Sequence, residues 1–272
     1  MRAPKIRREH GAWQAWLERA GPIRLGISTC LLGEKVRHDG GHKRDDFLVD
    51  ELGRWVEWVS VCPEVELGMG IPRPSVQLVE VEGDEPGSLR MLSPDTGEDW
   101  TVRMNAFSKQ RVAELSALEL DGYVLKQSSP SCGMARVKVW DFTGPKRKDG
   151  VGLFARALLA AWPQLPVEEE GRLADPALRE NFVQRIFCRN RWRALVRQRK
   201  TRARLAEFWS AHEPLVRAHD QEGAQRLDKL VGSAIKGNTI KGTGLYDRFE
   251  AEFFRALIRL PPRSDSTRTR TS

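Results

Sequence analysis

The chain has 272 residues, enough for two ordinary domains at about 150 residues each. Its 40% hydrophobic content, nine Trp and ten Phe exclude global disorder, and no apolar run approaches the roughly 20 residues of a bilayer-spanning helix. The net charge of +8 is uneven, because residues 172–272 hold 22 basic and 11 acidic side chains and leave the first 171 residues at −3.

Residues 1–22 read as a basic N-terminal extension without the apolar stretch of a secretion signal, which predicts a soluble, cytoplasmic protein. From Ile23, IRLGISTC is a β-rich run ending at Cys30 before the Gly33 turn. Residues 45–58 place Phe47, Leu48, Leu52, Trp55 and Val56 at helical spacing, and VSVCPEV follows as a short strand broken by Pro63. Pro72 to Trp100 is rich in Pro, Gly, Asp and Glu and reads as an exposed hairpin or loop. A helix is expected over 105–120, then a turn at Asp121 and Gly122, a strand over Tyr123 to Leu125, and a polar loop carrying Cys132. GVGLFARALLAAW closes this region as an apolar helix, and PQLPVEEEGRLADP reads as a linker. Asp175 and Pro176 look like the N-cap and first residue of a new helix, helical periodicity runs to about Leu260, and residues 263–272 form a disordered tail.

Strand, helix and strand in alternation predict an α/β fold, a small parallel sheet flanked by helices over 23–165, followed by an all-α domain over 175–262. Open parallel sheets collect ligands beyond the carboxyl ends of their strands, and Cys30, Cys62 and Cys132 each sit where a strand ends. The four cysteines are too few and too dispersed for a disulfide scaffold, and none forms a CxxC pair. Cys188 lies on a predicted helix and reads as a structural thiol.

Each of the three strand-end cysteines heads or closes a block. The first, CLLGEKVRHDGGHKR, is glycine-rich and charged; the second, CPEVELGMGIPRP, stiffens the chain directly after the thiol; the third, KQSSPSCG, offers three hydroxyls and a thiol. Together and in this order, CLLG with VRHDG, CPE with PRP, and SPSCG resemble the thiouracil and tRNA 4-thiouridine desulfidase family, over roughly residues 23–160. His38 stands where that family often has an aromatic residue. The resemblance implies a [4Fe–4S] cluster held by Cys30, Cys62 and Cys132. Three thiolates leave one iron of a cubane open to take the sulfur of a thiocarbonyl while activated water attacks the ring carbon, a non-redox C–S cleavage.

For acid/base work in such a reaction the candidates are Glu64, two residues after a ligand, Ser129 and Ser131, which can orient water or the pyrimidine edge, and Asp39. The same groups have structural readings: Glu64 can cap the helix after Cys62, and Ser129 or Ser131 can satisfy loop backbone. A zinc site built from the cysteines and His42 is a further alternative.

LRENFVQRIF and the terminal LPP resemble a helical domain often fused behind that catalytic domain. Between Asn181 and Ala206 stand nine basic residues and no acid, and Phe182, Ile186, Trp192, Leu195 and Leu205 can supply the buried stripe beneath them. This predicts a tRNA-binding surface, with Arg37, Lys43, Arg44, Arg189, Arg193, Arg197, Lys200, Lys236 and Lys241 as phosphate contacts. EPLVRAH departs from the family's run ending in Met-Ala-His, with Glu213 where Lys is expected and His219 retained. The expected activity is conversion of 4-thiouridine in tRNA to uridine. The alternatives are desulfidation of free thiouracil bases or nucleosides, and a metal-stabilised RNA-binding protein without turnover.

Overall fold

The computed structural model describes residues 20–261 apart from 84, 86, 142 and 237–243. The described residues divide into two compact units, Pro22–Phe182 and a helical unit that joins Ala20 and Gly21 to the chain from Val183 onward. Most of the expected N-terminal extension, the tail after 261 and Lys241 lie outside the described residues.

The first unit is built on four parallel strands, β1 (Ile23–Ser28), β2 (Val56–Val61), β5 (Gly122–Leu125) and β8 (Val167–Glu169), in the order β2-β1-β5-β8. In β1 and β5 nearly every residue is buried, as a parallel strand covered on both faces requires. Gly26 in β1 is fixed by close approach: a Cβ there would lie 2.1 Å from the Tyr123 ring of the neighbouring strand. Helices α2 (Thr101–Ser116) and α3 (Leu153–Ala161) pack together, and Val112, Leu115, Phe154 and Leu158 join Tyr123 and Leu125 in the core.

A second, mixed sheet was not foreseen. It joins β3 (Gln77–Val79), β4 (Arg90–Leu92), β6 (Val137–Asp141) and β7 (Gly144–Gly150) in the order β4-β3-β6-β7. The expected hairpin between 72 and 100 is its β3–β4 pair, with Leu78 and Met91 fully buried.

Two expectations are corrected. The helix over 45–58 is a π-helical turn, Phe47–Glu51, and a 3-10 turn, Leu52–Arg54, after which Val56 already belongs to β2 and Trp55 is 69% exposed. Helical spacing and a short strand start share the same apolar residues here, so periodicity alone overran the boundary. The stretch taken as a linker contains β8, whose three residues are all buried, so the α/β sheet continues past residue 165. Its glutamates suggested solvent because acids are seldom buried unless paired. Here they are paired: Glu168 takes Arg172, Glu169 the Met134 N–H, and Glu170, directly after the strand, Lys126.

Helix α4 (Pro176–Val196) starts where Asp175 and Pro176 predicted. Asp175 Oδ1 accepts from the N–H groups of Ala177 and Leu178, at 2.8 and 3.3 Å. Helices α5 (Arg202–His219), α6 (Gln221–Lys236) and α7 (Gly244–Ile258) complete the second unit. Its core is aromatic: Trp192 stacks on Phe249 at 5.4 Å, Phe249 on Phe253 at 5.6 Å, and Phe208 on His212 at 4.1 Å. Among the described residues no helix is long and apolar enough to cross a membrane.

Candidate active site

Every strand of the parallel sheet delivers something to one end. Ser28 ends β1, and a 3-10 turn, Thr29–Leu32, carries Cys30 directly after it. Gly33 closes that turn at φ 95°, a conformation glycine adopts without a Cβ penalty. The glycine-rich loop then folds back, with the Lys43 N–H donating to the Cys30 carbonyl at 2.9 Å. β2 ends at Val61 and Cys62 follows; Pro63 opens the short helix α1 (Pro63–Glu66). After β5 comes the loop bearing Cys132. These loops enclose a cavity of about 350 Å3 lined by all three thiols.

Burial dominates the chemistry of the thiols. It pushes Cys30 up to about 11, with Cys62 adding to the rise and Lys126 and Arg37 opposing it. Cys62 is raised by burial and, more weakly, by Glu64, while the Val65 N–H and Arg73 act the other way. Cys132 is raised as well, by burial and, beyond that, by the other two cysteines and Glu64, against a hydrogen bond with Ser28. Three thiols thus stay protonated near neutrality unless a cation takes their charge.

The donor set fits a cluster. Among the described residues no three His, Cys, Asp or Glu side chains converge on one ion position. A cubane held by three thiolates needs no such point, since each sulfur meets a different iron around a shared volume. Arg37, Arg73 and Lys126 on the wall supply positive charge opposite thiolates. His42 is absent from this wall, and its Nδ1 accepts from the Arg44 N–H at 3.2 Å, so the zinc arrangement with His42 is not assembled.

Glu64 lines the cavity and does not cap α1. Glu66 is the carboxylate that reaches back to the start of this helix, its Oε1 accepting from the Cys62 N–H at 3.0 Å. Glu64 instead receives the Ser131 hydroxyl on Oε1 at 2.5 Å, and Nε and Nη2 of Arg73 on Oε2 at 2.9 and 2.6 Å. Ser129 borders the cavity and also holds the loop, its Oγ accepting from the N–H groups of Ser131 and Cys132. The Ser131 carbonyl accepts from Phe154 and Ala155 at the start of α3, so the cysteine loop is seated on a helix N-terminus. Gly152 makes that seat possible, because a Cβ would meet the Ser131 carbonyl at 2.5 Å.

Asp39 is not brought in. It is exposed, accepts from the Gly41 N–H at 3.0 Å, and pairs with Arg37 at 3.4 Å; the Gly41 bond holds its carboxyl below the usual range. Arg37 and Lys43 reach the cavity wall, whereas Arg44 pairs with Asp46 and Asp50 away from it. Sequence reasoning missed Arg73, although its place between two prolines in the second block was a signal for a rigidly aimed side chain. It also missed Lys126, which pairs with Glu170.

In the helical unit the expected phosphate contacts separate. Arg193 is 8% exposed, with Arg185 and Arg191 at 7% and 5%, because α4 is buried around most of its circumference rather than along one stripe. Arg189 is half-buried and pairs with Glu250. Arg197 and Lys200 are exposed, and Lys236 ends α6. His219 is a structural link, with Nδ1 at 2.5 Å from the Arg259 carbonyl and Nε2 at 2.9 Å from Gln184 Oε1. Arg217 pairs with Glu213 and Asp228, so the diverged EPLVRAH run is tied within its own unit. Cys188 lies in the aromatic core, its thiol pushed up to about 12 by burial.

A sequence profile described as 2-thiouracil desulfurase matches residues 25–170. The chain is 28% identical over 149 residues to YbbK of Bacillus subtilis (strain 168), an uncharacterized protein, covering 53% of this chain and 95% of that one. Among solved structures it is similar to the [4Fe-4S]-dependent thiouracil desulfidase TudS, with 27% identity, 60% of this chain and 99% of the other covered, and a TM-score of 0.46.

Proposed function

Because the chain belongs to the 2-thiouracil desulfurase family, we propose that it is a [4Fe–4S]-dependent desulfidase that converts 4-thiouridine in tRNA to uridine. The observation that carries this reading is the gathering of Cys30, Cys62 and Cys132 on one cavity whose wall also holds Glu64. The three cysteines would hold the cluster, which supplies a sulfur-seeking Lewis acid when bound.

The remaining work falls to side chains. Glu64 Oε1, already the acceptor of the Ser131 proton, is placed to take a proton from water attacking the ring carbon. Ser131 can relay that proton, giving its own hydroxyl proton to Oε1 as it takes one from the water, and Ser129 fixes the loop that presents both Ser131 and Cys132. Arg37 and Lys43 at the cavity suit a phosphate beside the base, and exposed Arg197 and Lys200 suit a longer RNA backbone. A cavity of about 350 Å3 suits a single pyrimidine equally, which supports the free-thiouracil reading.

The test is anaerobic reconstitution with iron and sulfide, followed by incubation with 4-thiouracil, 4-thiouridine and thiolated tRNA and mass analysis of the products. Conversion of 4-thiouridine within tRNA is expected. Conversion of the free base alone would move the substrate to thiouracils, and a fully loaded protein that leaves all three unchanged would overturn the desulfidase reading.

A further inference from the structure

We propose that Arg73 is a positioning residue for the reaction, acting through Glu64; the inference rests on the desulfidase reading above. Its side chain is 3% exposed, and its guanidinium is engaged on both sides. Nη1 donates to the carbonyls of Val36 and Gly70, each at 3.0 Å, while Nε and Nη2 both converge on Glu64 Oε2. The Arg73 N–H donates to the His38 carbonyl at 3.0 Å, and Pro72 and Pro74 restrict the backbone on either side.

This pairing differs from the usual two-oxygen fork between Arg and a carboxylate. Both donors take the same oxygen, so Oε1 is left to Ser131. A half-turn of the carboxylate only exchanges equivalent oxygens, but a partial turn about its last bond would break the two charge-assisted hydrogen bonds to Arg73 and the one from Ser131. Arg73 therefore fixes the rotamer of Glu64 and the plane of its carboxylate, so that one oxygen is held on the Ser131 hydroxyl 2.5 Å away. It also spans the cysteine loops: Val36 belongs to the first, Gly70 and Glu64 to the second, and Ser131 to the third. Without it the acceptor for the Ser131 proton would no longer be held, although the thiols and the cavity would remain.

The experiment compares wild type, R73K, R73A, E64Q and the double variant E64Q/R73K, each reconstituted and assayed on the substrate that wild type converts. Lysine keeps the charge but loses the planar fork. A positioned general base is worth roughly 100- to 10,000-fold, so R73K, which keeps the base but loosens it, is expected to lose about 10- to 100-fold in kcat with KM, iron content and melting temperature near wild type. The double variant is expected to be no slower than E64Q alone, and millimolar guanidinium is expected to restore part of the R73A rate. Wild-type kcat in R73K, or losses in E64Q and R73K that multiply in the double variant, would overturn the proposal. If R73K does not fold, guanidinium rescue of R73A decides, and absence of rescue in a folded, iron-loaded R73A counts against it. Inactive wild type would instead sink the desulfidase reading, so the two failures are distinguishable.

Discussion

Glu169 Oε1 accepts the Met134 N–H at 2.9 Å, across 35 residues, and the next carboxylate in the chain, Glu170, accepts the Gln127 N–H at 2.8 Å. The loop bearing Cys132 is therefore gripped near both its ends by consecutive side chains at the end of β8. Glu169 is buried enough that desolvation raises its carboxyl, while the N–H groups of Met134 and Ala135 pull it back down. Replacing Glu169 with Ala leaves a half-buried N–H without its acceptor, which costs at most about 1–3 kcal/mol. We expect E169A to lower the urea midpoint and the iron bound per chain after reconstitution. A variant matching wild type in both would show that the loop holds its shape unaided.

The cysteines should divide three to one. C30A, C62A and C132A are each expected to lose most of the iron that wild type retains, because each removes one ligand from a shared cavity. C188A is expected to load fully, since that thiol is packed among Trp192, Leu195 and Phe208 in the helical core. Its cost is stability alone, on the order of 1 kcal/mol for a small buried side chain. Iron quantitation with the charge-transfer absorbance of the cluster reads both, and full loading in C62A would remove Cys62 from the ligand set.

The three ligand candidates were legible because a cysteine at a strand end has a position that topology fixes: parallel strands bring their carboxyl ends together whatever the sequence distance. Glu64 was legible for the same reason, two residues on from Cys62. Arg73 was legible only as a rigidly held side chain between two prolines, since its contacts run to carbonyls of Val36 and Gly70 that no side-chain pattern announces. β8 was hidden because three consecutive glutamates read as solvent-facing, and only their dedicated partners reconcile them with burial. The buried arginines of α4 failed for the complementary reason: a long aliphatic stem can cover apolar surface, so a high density of Arg does not by itself define an exposed face.

A pH dependence is built into the helical unit. His212 is fully buried against Phe208, and its Nδ1 lies 2.7 Å from the Phe208 carbonyl. Burial depresses its pKa to about 3; the Phe208 carbonyl opposes that shift and the Arg191 charge reinforces it. The unfolded chain binds a proton near 6.5 that the folded chain refuses, so this contribution to stability is present above about 6.5 and is lost as pH falls toward 3. H212L should be less stable than wild type near neutrality yet lose less on acidification. Urea midpoints of both proteins between pH 7 and 4 provide the check, and parallel curves would remove His212 as the source.

Arg193 and Lys200 should respond differently to the same substitution, although both belong to the basic run. Arg193 is buried, so R193A removes packing and lowers the melting temperature. Lys200 is exposed at 5.5 Å from the Tyr246 ring and can meet a phosphate without being desolvated first. If the helical unit holds tRNA through its backbone, K200A and R197A should each weaken binding, and each should reduce the slope of log affinity against log salt by about 1. Their melting temperatures should stay near that of wild type. The salt slope separates the two cases, because a destabilised but folded R193A keeps the same number of phosphate contacts and so the same slope. An unchanged slope in both K200A and R197A would place the RNA, if it binds, on another face, and would leave the exposed end of α4 and the loop after it as solvated surface.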